Sequence, residues 1–199
     1  KIQNIWHTKG IEIMTVKVTG VKNGIQEKTC VPLDCDNVGY WVEDQLEKNG
    51  HNINRGKGPD LKDLGVEVKT RNLSSRSAHT VGRMTTQDII DTPYEDSHLK
   101  DKIQSQYRVE YDQYGNVHSS RVYDFTDTDI QDLLKDSYEK GRAEISQGMF
   151  GKNNTKTYGV GIFQRDNDSE QWQWRITNSG MKKIKTMSQQ TFKRIFKYE

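Results

Sequence analysis

The chain has 199 residues, of which 32% are hydrophobic and 29% are charged, and its formal net charge is +2. This length fits one domain with a modest core and a heavily charged surface. Nine tyrosines and four tryptophans argue against a wholly disordered chain, because disordered segments are poor in aromatic residues. The near-neutral total charge is not that of a general nucleic-acid binder, so any such function depends on local charge.

Cys30 and Cys35 are the two cysteines of the sequence, too few for a metal tetrad or a disulfide framework. We expect reduced thiols in a cytoplasmic protein, although one Cys30–Cys35 bridge stays an alternative. The sequence shows neither a signal peptide nor an apolar run long enough to span a membrane. It starts at Lys1 rather than Met, as a fragment of a larger protein would.

Hydrophobic periodicity in the first half of the chain predicts one helix among several strands. The helix begins after Asp36, a candidate N-cap, and ends near Gly50. The Asn- and Gly-rich segment 51–59 that follows is predicted to be a loop. Alternating apolar and polar residues predict strands at 11–19, 64–71 and 78–84.

The second half predicts helices and strands in mixed order. A short helix at 96–104, a hairpin that turns at 113–116 and a long helix at 127–148 come first. Strands at 157–164, 171–176 and 181–186 follow, and a basic helix begins at Ser188. Because no linker or repeat divides the chain, we expect a single α+β domain over 1–199 around a central sheet.

The segment "GPDLKDLGVEVKT" (58–70) carries the candidate catalytic residues. Side chains alternate along a strand, so Glu67 and Lys69 are expected on one face, with Asp60 arriving from a neighbouring strand or turn. Two carboxylates and a lysine suit Mg²⁺-assisted phosphodiester cleavage, since Mg²⁺ prefers carboxylate oxygens, water and phosphate. An acid-x-base pair alone is weak support: 28 acidic and 30 basic residues give roughly four by chance, mostly salt bridges.

The order of these residues resembles the MutH-like endonucleases of the PD-(D/E)xK nuclease superfamily, which include GATC-cutting type II restriction enzymes. The resemblance runs through "GYWVEDQLE" (39–47), "GPDLKDLGVEVKT", "YEDSHLKDKI" (94–103) and "DIQDLLKDSYEKGRAEIS" (129–146). It implies a restriction-endonuclease-like fold, a central mixed β-sheet flanked by helices. The segment after residue 150 departs from the pattern.

The resemblance also implies roles for individual residues. Asp60 and Glu67 would ligate Mg²⁺, with Mn²⁺ as a substitute, and Lys69 would be the catalytic lysine. Lys102, one helical turn after His98, would be a second active-site lysine. Glu47 fits the helix carboxylate of the family, and Glu43 is the alternative because the spacing from Glu47 to Asp60 is one residue short.

Basic residues outside this segment are candidates for DNA contacts. Residues 182–197 contain six basic and no acidic residues, so this part of 150–199 is expected to bind phosphates or, alternatively, to be a solvated helix face. Arg175 could read a guanine edge, with a surface salt bridge as its alternative. Trp172 and Trp174 are expected in the core. The candidate DNA-binding residues are Arg71, Arg76, Arg175, Lys182, Lys183 and Lys185.

The sequence therefore predicts a Mg²⁺-dependent, sequence-specific endonuclease that hydrolyses double-stranded DNA as a monomer or homodimer. By resemblance its target is GATC, read in a methylation-sensitive way. The alternatives are a structure-selective or nicking nuclease of the superfamily, a DNA-binding module of the same fold without catalysis, and a protein-interaction domain.

Overall fold

A computed structural model describes residues 24–25, 29–56, 58–75, 78–149, 157–165 and 171–195. Five α-helices lie in these ranges: α1 Val38–Lys48, α2 Thr86–Asp91, α3 His98–Gln104, α4 Thr128–Ser146 and α5 Asn178–Ile195. Seven strands accompany them: β1 Glu67–Asn72, β2 His79–Thr85, β3 Ser105–Tyr111, β4 Val117–Asp124, β5 Thr157–Tyr158, β6 Gly161–Arg165 and β7 Gln171–Ile176. The predicted α+β class is confirmed, and the predicted strand at 11–19 lies outside the described residues.

The contacts divide the chain into two compact units. The first comprises the described residues up to Ser75 together with Ser105–Asp124, and the second comprises those of Arg76–Gln104 and from Phe125 onward. Each unit has its own sheet, in the order β1-β3-β4 in the first and β2-β7-β6-β5 in the second. The described strands thus form two sheets where one central sheet was expected, and a single nuclease domain over 1–199 stays a prediction.

The sheet of the first unit is mixed. β1 pairs with β3 in parallel, and β3 pairs with β4 in the antiparallel hairpin that the sequence predicted. Parallel pairing is open to β1 and β3 because more than thirty residues separate them, well beyond the dozen or so that a crossover needs. One face of this sheet packs on a core of apolar side chains that includes Val42 and Leu46 of α1, Val68, Tyr107 and Val109.

Helix α1 matches its prediction except at the cap. The Oδ1 atom of Asn37, not Asp36, accepts the backbone N–H of Tyr40 at 3.2 Å. Both residue types are good N-caps, and Asn37 has the extended backbone that the position requires. Gly50 follows the helix with a φ of +89°, as a stop signal near the helix end should.

The second unit is built around an aromatic core beneath an antiparallel sheet. Tyr138 of α4 lies 5.4 Å from Phe163 and 5.6 Å from Trp174, measured between ring centroids. Gly141 allows this approach, because a Cβ there would come within 2.5 Å of the Phe163 ring. Trp172 and Trp174 are fully buried, which confirms that this pair belongs to the core.

The predicted strand at 181–186 is wrong, since these residues form the first turns of α5. The Oγ1 atom of Thr177 accepts the N–H of Gly180 at 2.9 Å, and this bond caps the helix. Met181 and Ile184, three residues apart, are buried, while the lysines between and beside them are exposed. That spacing is helical, and a strand would have placed these two residues on opposite faces.

No helix in the described ranges is long and apolar enough to cross a membrane.

Candidate functional site

A tight turn in the first unit brings Asp60 beside Glu67. Leu61 and Val66 form an antiparallel bridge through two backbone hydrogen bonds, N–H to O, of 2.8 and 3.2 Å. The chain between them makes a 3₁₀ turn that ends at Gly65, whose φ of +63° is in the left-handed region that glycine adopts easily. In an antiparallel pair the next residues outward face each other, so Asp60 stands opposite Glu67 on the same side of the bridge.

A backbone hydrogen bond next to Pro59 holds the Asp60 carboxylate. A proline has no N–H to continue the ladder, and the Pro59 carbonyl accepts the side-chain amide of Asn54 at 3.1 Å. The N–H of Val68, which this carbonyl would otherwise receive, instead donates to Oδ2 of Asp60 at 2.8 Å. The Asp60 carboxylate is therefore fixed against the start of strand β1 before any ligand binds.

Glu67 and Lys69 form an ion pair on one face of β1. The Nζ atom of Lys69 lies 2.6 Å from Oε1 of Glu67, which confirms the predicted shared face. The Glu67 side chain is only 1% exposed, whereas that of Lys69 is 25% exposed. A carboxylate so deeply buried needs a cation, and removing the partner of such a pair typically costs about 3–5 kcal/mol.

Of the two candidate helix carboxylates, Glu43 is the one whose surroundings include Asp60 and Glu67, and a catalytic role for either stays a prediction. Burial raises the pKa of Glu43, and the negative charges of Asp60 and Glu67 raise it further against the opposing charges of Arg55 and Lys69. Glu47, one turn later, is 56% exposed and lies 3.3 Å from Arg55. The alternative that spacing left open is therefore the residue that the structure brings to Asp60 and Glu67.

The donor set suits a hard divalent cation that keeps most of its water. Within the described residues, no three Asp, Glu, His or Cys side chains are already arranged as a metal site. Mg²⁺ needs only one or two protein carboxylates, because water and phosphate supply its other ligands. Asp60 and Glu67 meet that requirement, and Glu43 adds negative charge nearby.

Lys102 lies in the second unit, on α3. Its Cδ atom is 3.6 Å, and Nε2 of His98 is 3.9 Å, from the position that a Cβ on Gly82 would take. The two side chains thus share a helix face, as one turn of spacing predicts. Burial, and then the charge of Lys102, lower the pKa of His98, which favours the neutral imidazole beside this lysine.

The candidate DNA-binding residues lie in different surroundings. Arg71 is half-buried at the polar face of β1, and Arg76 lies outside the described residues. Arg175 donates to Oε1 of Gln164 at 2.5 Å and to the carbonyl of Ala78 at 3.0 Å, contacts that hold its guanidinium within the sheet region. Three lysines of α5 are exposed: Lys182, Lys183 and Lys185. DNA binding by all of them stays a prediction.

Sequence reasoning missed the residues beside the ion pair. Gln106 and Arg108 of β3 are the register partners of Glu67 and Lys69, and both are buried. The alternation in "SQYRVEY" already placed these polar residues on one strand face. Their pairing with β1 could not be deduced, because nothing local specifies which strand a parallel strand joins.

No protein-family model matches the chain, and no curated protein matches it either.

Substituting Glu43 by Gln should stabilise the metal-free protein at neutral pH. A raised pKa means that the fold disfavours the ionised carboxyl, so the penalty is present above that pKa and vanishes once pH falls below about 4.5. Urea unfolding at pH 7 should give a larger free energy for Glu43→Gln than for the parent, and the two should converge at pH 4.

The matched control is Glu47→Gln, which removes the same charge from the exposed end of the helix. It should gain no stability at pH 7, because surface ion pairs such as the one with Arg55 contribute little. A Glu43→Gln variant that is less stable than the parent at pH 7 would show that burial and the neighbouring carboxylates do not disfavour the Glu43 charge.

Proposed function

We propose that this protein is a Mg²⁺-dependent endonuclease that hydrolyses phosphodiester bonds of double-stranded DNA. The observation that carries the proposal is the buried Glu67 carboxylate, paired with Lys69 and opposite Asp60, whose carboxylate accepts the Val68 N–H. A surface salt bridge would not require burial of its acid. A binding surface alone would not require two carboxylates next to each other.

The architecture of the first unit supports a restriction-endonuclease-like fold as part of this proposal. Its sheet is mixed, helix α1 packs on the apolar face, and the acid-x-lysine strand β1 lies at the sheet edge with its partner turn. The resemblance to MutH-like endonucleases in the segments 39–47, 58–70 and 94–103 points to the same fold.

Asp60 and Glu67 would hold Mg²⁺ or Mn²⁺, with Glu43 contributing charge from α1. When bound, the cation supplies activation of water and neutralisation of charge on the phosphate oxygens. The chain supplies the rest: Asp60 is oriented by its bond to the Val68 N–H, and Glu67 is kept from bulk water. A carboxylate that is fixed in advance loses little entropy when its ligand arrives.

Lys69 would act directly on the substrate. Its ammonium group is compact, carries three donors and is partly exposed, so it can turn to a phosphate oxygen or the attacking water when a cation would neutralise Glu67 in its place. Positive charge preorganised at that position stabilises the negative charge that grows in the transition state. Attack of water on phosphorus and departure of the 3′ or 5′ oxygen both build up such charge.

The proposed DNA target, oligomeric state and cellular location rest only on the resemblance and the sequence. The target would be GATC in a methylation-sensitive reading, cut by a monomer or homodimer on DNA in the cytoplasm. A second candidate function is a DNA-binding module without catalysis, which the exposed lysines of α5 would serve equally well. The buried Glu67–Lys69 pair favours the enzyme, because a module that only binds phosphate gains nothing from a buried acid.

Cleavage of methylated and unmethylated plasmid in Mg²⁺ tests the proposal. Asp60→Asn and Glu67→Gln keep hydrogen-bonding groups of the same size but lose the charge that a cation needs. Each should cut at least about 100-fold more slowly than the parent, equivalent to about 2.7 kcal/mol of transition-state stabilisation. Binding to duplex DNA in Ca²⁺ should survive.

Asp63→Asn is the matched control, because Asp63 is an exposed carboxylate in the same turn. It should cleave like the parent. Equal activity of Asp60→Asn and parent would refute the assigned site. A parent that binds DNA in Ca²⁺ but never cuts in Mg²⁺ would favour the binding module.

Lys102 tests the MutH-like form of the proposal against a general nuclease of the superfamily, which has its lysine already in Lys69. We expect Lys102→Ala to lower the cleavage rate at least about tenfold, or about 1.4 kcal/mol. Lys100→Ala is the control two positions away, where the lysine pairs with Glu95 at 2.5 Å. It should change stability by no more than about 0.5 kcal/mol and leave the rate unchanged. Parent-like rates in both variants would remove the MutH-like form.

A further inference from the structure

The candidate catalytic pair lies at one end of a polar sheet face. Register places the side chains of β1, β3 and β4 in three rows across the first unit's sheet, all on the face opposite the apolar core. The rows are Glu67–Gln106–Tyr123, Lys69–Arg108–Arg121 and Arg71–Glu110–Ser119. Every position on this face is thus polar or tyrosine, which is unusual for a face with a buried central strand.

This face carries an excess of positive charge. Four cationic residues share it with two carboxylates. Glu67 is engaged by Lys69, and Glu110 accepts the Ser119 hydroxyl at 2.7 Å. The middle row sets three cations side by side on adjacent strands, where like charges destabilise the pairing. Burial lowers the pKa of Arg108 to about 10, and the charge of Arg71 lowers it further against the opposing effects of Tyr123 and Glu110.

The cations are held in a fixed arrangement rather than dispersed into solvent. Arg108 is 3% exposed and donates through Nε and Nη2 to Oε1 of Gln106, at 3.0 and 2.6 Å. Its guanidinium lies 5.4 Å from the ring centre of Tyr123, and that of Arg121 lies 5.9 Å from the same centre. One aromatic ring thereby positions two guanidinium groups, a contact that is favourable within about 6 Å.

Arg121 is the member of this group that can meet a ligand. It is exposed, and a guanidinium that stacks on a ring keeps its N–H edge for acceptors. Arg71 occupies the same face at the other edge of the sheet and is half-buried. Guanidinium groups bind phosphate through paired N–H donors, so two of them on one face, beside a phosphodiester-cleaving pair, fit a phosphodiester chain.

We propose that Arg71 and Arg121 form a phosphate-binding surface continuous with the Glu67–Lys69 site, which holds backbone phosphates of the bound DNA next to the scissile one. Arg108, Gln106 and Tyr123 are positioning residues beneath it. The identity of the ligand as DNA rests on the proposed function, whereas the surface itself rests on the register and the charges.

The test is the salt dependence of binding, measured by fluorescence anisotropy on a labelled duplex in Ca²⁺ across a series of KCl concentrations. Each phosphate contact contributes about 0.9 to the slope of log K against log salt. Arg121→Gln should therefore flatten the slope by about 0.9, and Arg71→Gln together with Arg121→Gln by about 1.8.

Lys48→Gln is the matched control: it removes one exposed positive charge from the same unit, on the helix that packs against the apolar face. Its slope should equal that of the parent. Because Arg121 is exposed, its variant should melt like the parent, and it decides the test if the half-buried Arg71 variant unfolds. An Arg121→Gln slope equal to the parent's overturns the surface, as does a parent that fails to bind duplex DNA in Ca²⁺.

A parallel Mg²⁺ cleavage assay separates this inference from the proposed function. A flattened slope without cleavage by the parent would keep the phosphate surface and remove the nuclease. Cleavage by the parent with an unchanged slope in Arg121→Gln would keep the nuclease and remove the surface.

Discussion

The burial of the Glu67 carboxylate is the constraint on which the rest of the site depends. An ionised carboxyl away from water is tolerated only beside a cation, and here Lys69 supplies one at 2.6 Å from the same strand face. Such pairs often cost more in desolvation than they return, so they are poor devices for stability alone. A buried acid with an exchangeable cationic partner is, however, a suitable place to receive a metal ion and a phosphate. The desolvation cost of the Glu67–Lys69 pair is explained if the pair has a catalytic role.

The chain around Glu67 places further acidic and basic side chains near its carboxylate. The short ladder ends at Pro59, and the Val68 N–H donates to Asp60 instead. This hydrogen bond fixes Asp60 opposite Glu67. Helix α1 places Glu43 where burial, and then the negative charges of Asp60 and Glu67, raise its pKa. Across the sheet, the arginines of β3 and β4 supply positive charge of the sign that a phosphodiester requires. Carboxylates that can hold a cation and arginines that can bind an anion thus lie on and beside one small sheet.

Local features of this fold could be predicted from the sequence, and long-range ones could not. Helix α1, the hairpin of β3 and β4 and helix α4 follow from periodicity and turn residues within a few positions. The strand predicted at 181–186 was wrong, because the buried residues Met181 and Ile184 have the spacing of a helix. The parallel pairing of β1 with β3 joins distant segments, and no local signal encodes it. The position of Arg108 and Arg121 in one row with Lys69 could therefore not be predicted.

The candidate site also has features that the sequence predicts and features that depend on packing. The shared face of Glu67 and Lys69 followed from strand alternation alone. The choice between Glu43 and Glu47 did not, because residues four apart lie on the same helix face and only the placement of α1 against β1 separates them. Only Asp36 was predicted as the cap of α1, although Asn37 is an equally good cap by type. In both places the structure selects a residue close in sequence to the predicted one.

The central claim is that the Glu67 carboxylate exchanges its ammonium partner for a divalent cation. Calorimetric titration of Mg²⁺ into the parent, Glu67→Gln and Lys69→Met proteins tests it most directly. Lys69→Met deletes the competing ammonium but keeps both acids, so it should bind Mg²⁺ at least as tightly as the parent. Glu67→Gln should lose the binding. Equal Mg²⁺ affinity in the parent and Glu67→Gln, or loss of binding in Lys69→Met with the fold intact, would contradict the account.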